Sequence, residues 1–218
     1  MIQIPGKRAA RYDKAFYDDF TASSLRSGEI VLGALLQRYT ARSVLDVGCG
    51  DGELLSYLKT LKHAHVYGVE LADDKVLACA EKGLNIVQQN LENGLALFED
   101  NSFDTVVLSQ TLQTIHQTEK ILREVVRVGK ESIVSFPNFG HWSHRLAVGL
   151  GRMPVSKSLP YQWYNTPNVR VLTVEDFEKL ASSLGLRVID QCILHDGQQV
   201  TLMPNFFGSL ALFRVRSA

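Results

Sequence analysis

One decapeptide, Ser43–Gly52 (SVLDVGCGDG), limits the fold more than any other stretch of the chain. Val44, Leu45 and Val47 read as a short apolar strand carrying one acid, Asp46, and Gly48, Gly50 and Gly52 then end it. Glycine reaches left-handed backbone at no steric cost and lets a ligand come close to the main chain. Glu53–Leu61 follows at once, with Leu54, Leu55, Leu58 and Leu61 at helical spacing. Strand, glycine-rich loop and helix in that order open a βαβ unit. Such a loop is expected to point bare N–H groups at a ligand with an anionic group.

The alternation continues in both directions. Glu29–Tyr39 has a helical apolar face, and Met1–Thr21 reads as an arm or short helix in which Lys7, Arg8 and Arg11 are solvated. Downstream, His65–Val69 reads as a strand ending at Glu70, and Asp73–Lys82 as a helix with Asp73 or Asp74 as its N-cap and Gly83 after it. Asn85–Gln89, Phe103–Ser109 and Glu131–Phe136 read as further strands, with the helix Thr118–Val128 between the last two. Phe103–Ser109 is nearly all apolar, as a central parallel strand buried on both faces must be. Thr173 opens a helix through Leu184 with Asp176 at the capping-box position, and Leu186–Leu194 and Ser209–Val215 read as an antiparallel pair at one sheet edge. Strands at intervals of roughly 20 residues with helices between them predict an α/β fold. The sheet expected is doubly wound, mostly parallel and seven-stranded, with an antiparallel edge strand and right-handed crossovers.

The 218 residues, 45% of them hydrophobic, fit one domain spanning 1–218. Lys and Arg together number 23, as do Asp and Glu, so bulk charge does not point to nucleic acid. No apolar run approaches the ~20 residues that span a bilayer. The start shows no secretory signal, and Cys49, Cys79 and Cys192 form neither a disulfide framework nor a metal motif, so a cytoplasmic protein without a metal site is expected. Ser132–Val174 contains no Asp or Glu but holds Arg145, Arg152, Lys157 and Arg170, and both tryptophans. This predicts an acid-free insertion at about 137–170. Its Tyr161, Trp163 and Tyr164 either seal it onto the core or form a lid or partner surface.

The glycine pattern is G-x-G-x-G, not the G-x-G-x-x-G of dinucleotide folds, which argues against a nicotinamide oxidoreductase. At the strand ends, Glu70 can accept both hydroxyls of a ribose, Asn90 can offer its carbonyl to an exocyclic amine, and Ser109 and Gln110 close the far side. With Asp46–Gly52, Asn90-Leu91-Glu92 and Phe103-Asp104, this set resembles the class I S-adenosylmethionine-dependent methyltransferases, whose fold is Rossmann-like. The resemblance implies S-adenosyl-L-methionine or S-adenosyl-L-homocysteine as cofactor. Asp46, Gly48, Gly50 and Gly52 would hold its methionyl part, Glu70 its ribose, and Asn90 would lie near its adenine, with Cys49, Leu71, Leu91, Ser109 and Gln110 completing the cofactor-binding set. Asn90 is a departure, since many members have Asp there.

Four further blocks, GVEL (Gly68–Leu71), LSQTLQ (Leu108–Gln113), VSFPNFGHW (Val134–Trp142) and GRMPVSKSLPYQWYNTPN (Gly151–Asn168), resemble the methionine-biosynthesis family MetW. That resemblance implies a role beside a MetX-type homoserine O-acyltransferase. Two readings stay open: a regulatory or accessory subunit joining the acyltransferase through the insertion, or a methyltransferase of an unidentified small molecule, anionic if the insertion's basic residues face it. No membrane or nucleic-acid partner is expected. No catalytic residue is assigned; His116, Asn138, His141 and Tyr161 are candidates to face an acceptor. Cys49 is expected to pack in the loop rather than act as a nucleophile, and His141 and His144 lack a third metal ligand in the sequence.

Overall fold

The computed structural model describes residues 41–60 and 65–218; the expected Glu29–Tyr39 helix and Met1–Thr21 arm lie outside the described residues. Five parallel strands, β1 (Ser43–Val47), β2 (His65–Glu70), β3 (Asn85–Gln88), β4 (Phe103–Ser109) and β5 (Gly129–Pro137), stand in the order β3-β2-β1-β4-β5. β6 (Leu186–His195), the two-residue β7 (Gln198–Gln199) and β8 (Leu210–Ser217) complete an eight-stranded sheet among the described residues. β8 lies antiparallel between β5 and β6, so it is the β6–β7 hairpin that forms the edge. The eighth strand, β7, is the short return of that hairpin and carries no apolar pattern from which it could be read.

The helices among the described residues are α1 (Glu53–Thr60), α2 (Asp73–Glu81), α3 (Thr118–Val128), α4 (Trp142–Gly149), α5 (Val174–Ser183) and the single turn α6 (Pro204–Phe207). Side chains alternate across a strand, and this explains the apolar run in β4. Val106 and Leu108 enter one core with Phe136, Phe177 and Phe213, while Val107 enters the other with Leu54, Leu55 and Cys79. Both faces are thus covered, as a parallel sheet requires. The chain runs outward from β1 to β3 and crosses back to β4, so the strand order reverses beside β1. A cleft at the carboxyl ends of β1 and β4 is the consequence.

Two local expectations are corrected. Neither Asp73 nor Asp74 caps α2; the N-cap is Ala72, without a side-chain bond. The physical reason is competition: Asp73 accepts a hydrogen bond from Gln88 Nε2, and the Ala72 N–H is taken by Glu70 Oε1 at 3.0 Å. The 137–170 segment also holds a helix, α4, whose mixed face gives little periodic signal. Its exit from the sheet is fixed by Asn138, which is fully buried. Nδ2 donates to the carbonyls of Gly208 (2.7 Å) and Asn205 (3.1 Å), and Oδ1 accepts the N–H groups of Gly140 (3.0 Å) and Val174 (3.3 Å). Thr173 and Asp176 form the expected capping box on α5. Among the described residues no helix is long and apolar enough to cross a membrane.

Candidate functional site

The glycine loop is tied down from below. Gly48 and Cys49 donate their N–H groups to Val69 O at 2.8 and 3.1 Å, and Gly50 donates to Glu70 Oε2 at 2.9 Å. Glu70 Oε1 accepts the N–H of Leu71 at 2.8 Å as well as that of Ala72. The expectation of bare loop N–H groups waiting for an anion is therefore corrected at these three positions, because β2 and its carboxylate use them. Gly48 has φ +79°, and a Cβ there would lie 2.6 Å from both Oγ1 and Cγ2 of Thr111, so the β4 side of the cleft closes directly onto it. Gly52 does something different from its neighbours. A Cβ on it would meet Leu84 Cδ1 at 2.4 Å and Cys79 Sγ at 2.8 Å, so it is the point where the loop packs on α2 rather than a wall of the cleft. Burial pushes the Cys49 and Cys79 thiols up, and Cys79 Sγ donates to Gly50 O at 3.2 Å; neither is a ready nucleophile.

The opposite wall comes from the ends of β3 and β4. Asn90 Oδ1 accepts the N–H of Glu92 at 2.9 Å, capping the 3₁₀ turn Leu91–Asn93. The carbonyl expected to meet an exocyclic amine is thus engaged locally, and the Asn90 Nδ2 group makes no hydrogen bond among the described residues. Glu92 accepts from the His116 N–H (2.7 Å) and the Gln117 N–H (3.1 Å), with the His116 ring 3.2 Å away. The His116 backbone bond, followed by that of Gln117 and the ring, holds its carboxyl below the ordinary glutamate range. Gln110 takes a left-handed φ of 48°, unusual for a non-glycine residue, and its N–H donates to Ser135 O and Oγ.

Gln113 has no motif signal of its own in the sequence, yet it joins the two parts of the site. It is 5% exposed; its side-chain Nε2 donates to Gln110 O at 2.7 Å, and its backbone carbonyl accepts the N–H groups of Val169 (2.9 Å) and Arg170 (3.0 Å). The only hint was its place in the LSQTLQ block.

These walls enclose an open cleft of about 600 Å³, within the range of small-molecule sites. Asp46, Gly48, Cys49, Gly50, Glu70 and Leu71 line it from one side, and Asn90, Leu91, Ser109 and Gln110 from the other. Gly52 does not reach it. The 137–170 segment supplies Ser158, Pro160, Tyr161, Pro167 and Asn168. Of the four residues expected to face an acceptor, Tyr161 alone lines the cleft; Asn138 is the buried anchor described above, His116 braces Glu92, and His141 is buried against His195 with ring centroids 4.8 Å apart.

Among the described residues the charge lining the cleft is one-sided: Asp46, Asp51, Glu53, Glu70 and Glu92 against Lys75. None of Arg145, Arg152, Lys157 and Arg170 lines it, so the cleft gives no support to an anionic substrate. Arg145 donates to Gly140 O and lies over the Phe206 ring, and Lys157 pairs with Asp196 at 3.3 Å. Trp163 and Tyr164 are 71% and 70% exposed, which corrects the reading that they seal the segment onto the core. Among the described residues no group of His, Cys, Asp and Glu is arranged to hold a metal.

Residues 34–215 match the family model described as methionine biosynthesis protein MetW. The chain is 38% identical over 168 residues to the bifunctional methionine biosynthesis protein MetXA/MetW of Rhodopirellula baltica, a match covering 72% of this chain and 27% of that protein. The chain therefore spans about a quarter of that relative's length. It is 26% identical over 159 residues to the ubiquinone biosynthesis O-methyltransferase of Paraburkholderia xenovorans, covering 69% of this chain and 67% of that one. Among solved structures it is similar to the plantazolicin methyltransferase BpumL (TM-score 0.65, 12% identity, 94% and 90% of the two chains). It is also similar to the magnesium protoporphyrin IX methyltransferase of Synechocystis (TM-score 0.62, 16% identity, 98% and 90%). At these identities the structures show the class I methyltransferase fold.

Proposed function

The chain belongs to the MetW family of methionine biosynthesis proteins, and from that premise we propose that it binds S-adenosylmethionine or S-adenosylhomocysteine in the 600 Å³ cleft and acts with, or regulates, a MetX-type homoserine O-acyltransferase. The observation that carries the ligand reading is the cleft's charge. Among the described lining residues, five carboxylates and one lysine suit a ligand bearing a sulfonium and an ammonium, and oppose the diphosphate of a dinucleotide. The consumed N–H groups of Gly48, Cys49 and Gly50 support the same choice, since a diphosphate needs such donors.

The chain's residues then divide the work. Glu70 holds the loop through the Gly50 N–H and its own turn through those of Leu71 and Ala72, and its Oε2 keeps a lone pair for a ribose hydroxyl. Asn90 offers Nδ2 to a ring nitrogen of the base, and the exposed Leu71, with Leu91 across the cleft, offers apolar surface to its faces. When bound, S-adenosylmethionine would supply an electrophilic methyl group. Titration calorimetry with both nucleotides is the test; absence of heat with either overturns the ligand reading.

The acyltransferase reading rests on the family and on the relative whose name joins MetXA and MetW in one protein. Exposed Trp163 and Tyr164, in a segment without acids, supply a surface of the kind enriched in interface cores. Co-purification of the two proteins, and the acyltransferase rate with and without this chain, test it. Trp163→Ala and Arg152→Glu should weaken the association; if both leave it intact, the 137–170 segment is not the contact.

A second reading, methyl transfer to a small molecule, is favoured by Tyr161 at the cleft wall. The acceptor would then be neutral or cationic, in keeping with the acidic lining, and a labelled-methyl screen of such compounds tests it.

A further inference from the structure

We propose that a second cavity binds a free α-amino acid with an apolar side chain. It lies between the start of α3, the helix α5 and the stretch Arg170–Leu172 that leads into α5, and its volume is about 230 Å³. It is an open depression, smaller than the first cleft and of a size that suits a small molecule. Its floor is apolar: Leu112, Leu172, Phe177 and Leu180, of which Leu112 and Phe177 are buried.

Its rim carries one guanidinium, Arg170, and two carboxylates, Glu119 and Asp176, and neither Arg170 nor Glu119 forms an ion pair among the described residues. The Arg170 guanidinium is held in place by two backbone carbonyls, Val169 O at 3.1 Å and His116 O at 2.9 Å, and pairs with no carboxylate among the described residues. These bonds use part of its five-donor fork and leave N–H groups over. Glu119, in the first turn of α3, makes no hydrogen bond or ion pair among the described residues. Asp176 also reaches the rim, but its Oδ2 is committed to Thr173 in the capping box.

A positioned guanidinium and a free carboxylate above an apolar floor match an amino acid in all three of its parts. The α-carboxylate meets Arg170, the α-ammonium meets Glu119, and the side chain lies on Leu112, Phe177 and Leu180. The starts of α3 and α5 favour the carboxylate further, because helix N-termini carry partial positive charge. A fatty acid or an amine satisfies only half of the rim, and an inorganic anion leaves the floor unused. Neither Arg170 nor Glu119 lines the first cleft, so this site does not depend on the nucleotide reading.

The test is titration calorimetry of the full chain with L-leucine and L-methionine, using isocaproate and isoamylamine as probes that each lack one charged group. Both amino acids should bind at one saturable site, and each control should bind weaker by about tenfold or more. Arg170→Gln and Glu119→Gln should each lower amino-acid affinity by a similar factor, while Arg170→Lys keeps part of it. Glu119 is exposed, so its conservative variant is expected to fold; the thermal unfolding curve of each variant checks this. No heat with either amino acid, or binding that survives both substitutions, overturns the proposal. S-adenosylhomocysteine binding in the same variants reports on the first cleft separately.

Discussion

Gly48 shows how a single residue can be readable in kind and opaque in cause. Its presence in the loop signals a turn, and its φ of +79° agrees. What forbids a side chain there is Thr111, which lies on the far wall of the cleft, distant in sequence. Gly48→Ala combines left-handed strain of ~1–2 kcal/mol with a clash against Thr111, and should destabilise the protein by about 2–4 kcal/mol in urea unfolding. Adding Thr111→Ala should recover the steric part and leave the backbone strain. Gly52 and Asn90 teach the complementary lesson. Both stand where a ligand-binding residue was expected, yet Gly52 faces Cys79 and Leu84, and the Asn90 carbonyl caps its own turn. Sequence spacing carries no information on which way a loop residue faces.

At the scale of elements, the clearest signals were the local ones. The box of Thr173 and Asp176 sits within one turn and was legible; α4, with no regular apolar stripe, was not. The two anchors of the 137–170 segment differ accordingly. Thr173→Ala removes one cap and should cost ~1 kcal/mol. Asn138→Ala removes the partner of four backbone groups, three of them in buried bonds, and should cost about 3 kcal/mol or more by the same denaturant measurement.

The segment also carries a pH dependence. His144 donates from Nδ1 to Asn138 O and accepts from Ser156 Oγ at Nε2, and burial lowers its pKa from the ordinary 6.5. His141 is lowered by burial, and next by its neighbours His195 and His144. Below 6.5 the unfolded chain binds protons that the folded chain refuses, so stability is complete above that pH and falls as the pH drops toward the lowered folded values. Each histidine contributes at most ~1.4 kcal/mol per pH unit in that window. Urea unfolding at about pH 7.5 and about pH 5.5 should show the loss, and His144→Gln should make the decline shallower.

On the scale of the whole molecule, the acidic cleft at the strand ends and the exposed aromatics Trp163 and Tyr164 of the acid-free segment are chemically distinct surfaces. Net charge hides this, since the chain as a whole is neutral. S-adenosylmethionine carries one positive charge more than S-adenosylhomocysteine, so the five carboxylates should make its affinity the more salt-dependent of the two. Raising the ionic strength from about 0.05 to about 0.5 M should narrow any preference for the charged ligand several-fold, and calorimetry at both salts checks it.

The sequence by itself determined the parallel half of the sheet, the order of its strands and helices, and the loop at its centre. Those features are written in apolar periodicity and in glycines, which act within a few residues of one another. Tertiary structure decided the placement of β8 between β5 and β6, the engagement of the loop's N–H groups by β2 and Glu70, and the meeting of Gln113 with the chain at Val169 and Arg170. It also placed Arg170 and Glu119 at one rim. These depend on which hydrogen-bonding groups and charges remain unsatisfied once the sheet has closed, and that is a property of the packed chain rather than of any window along it.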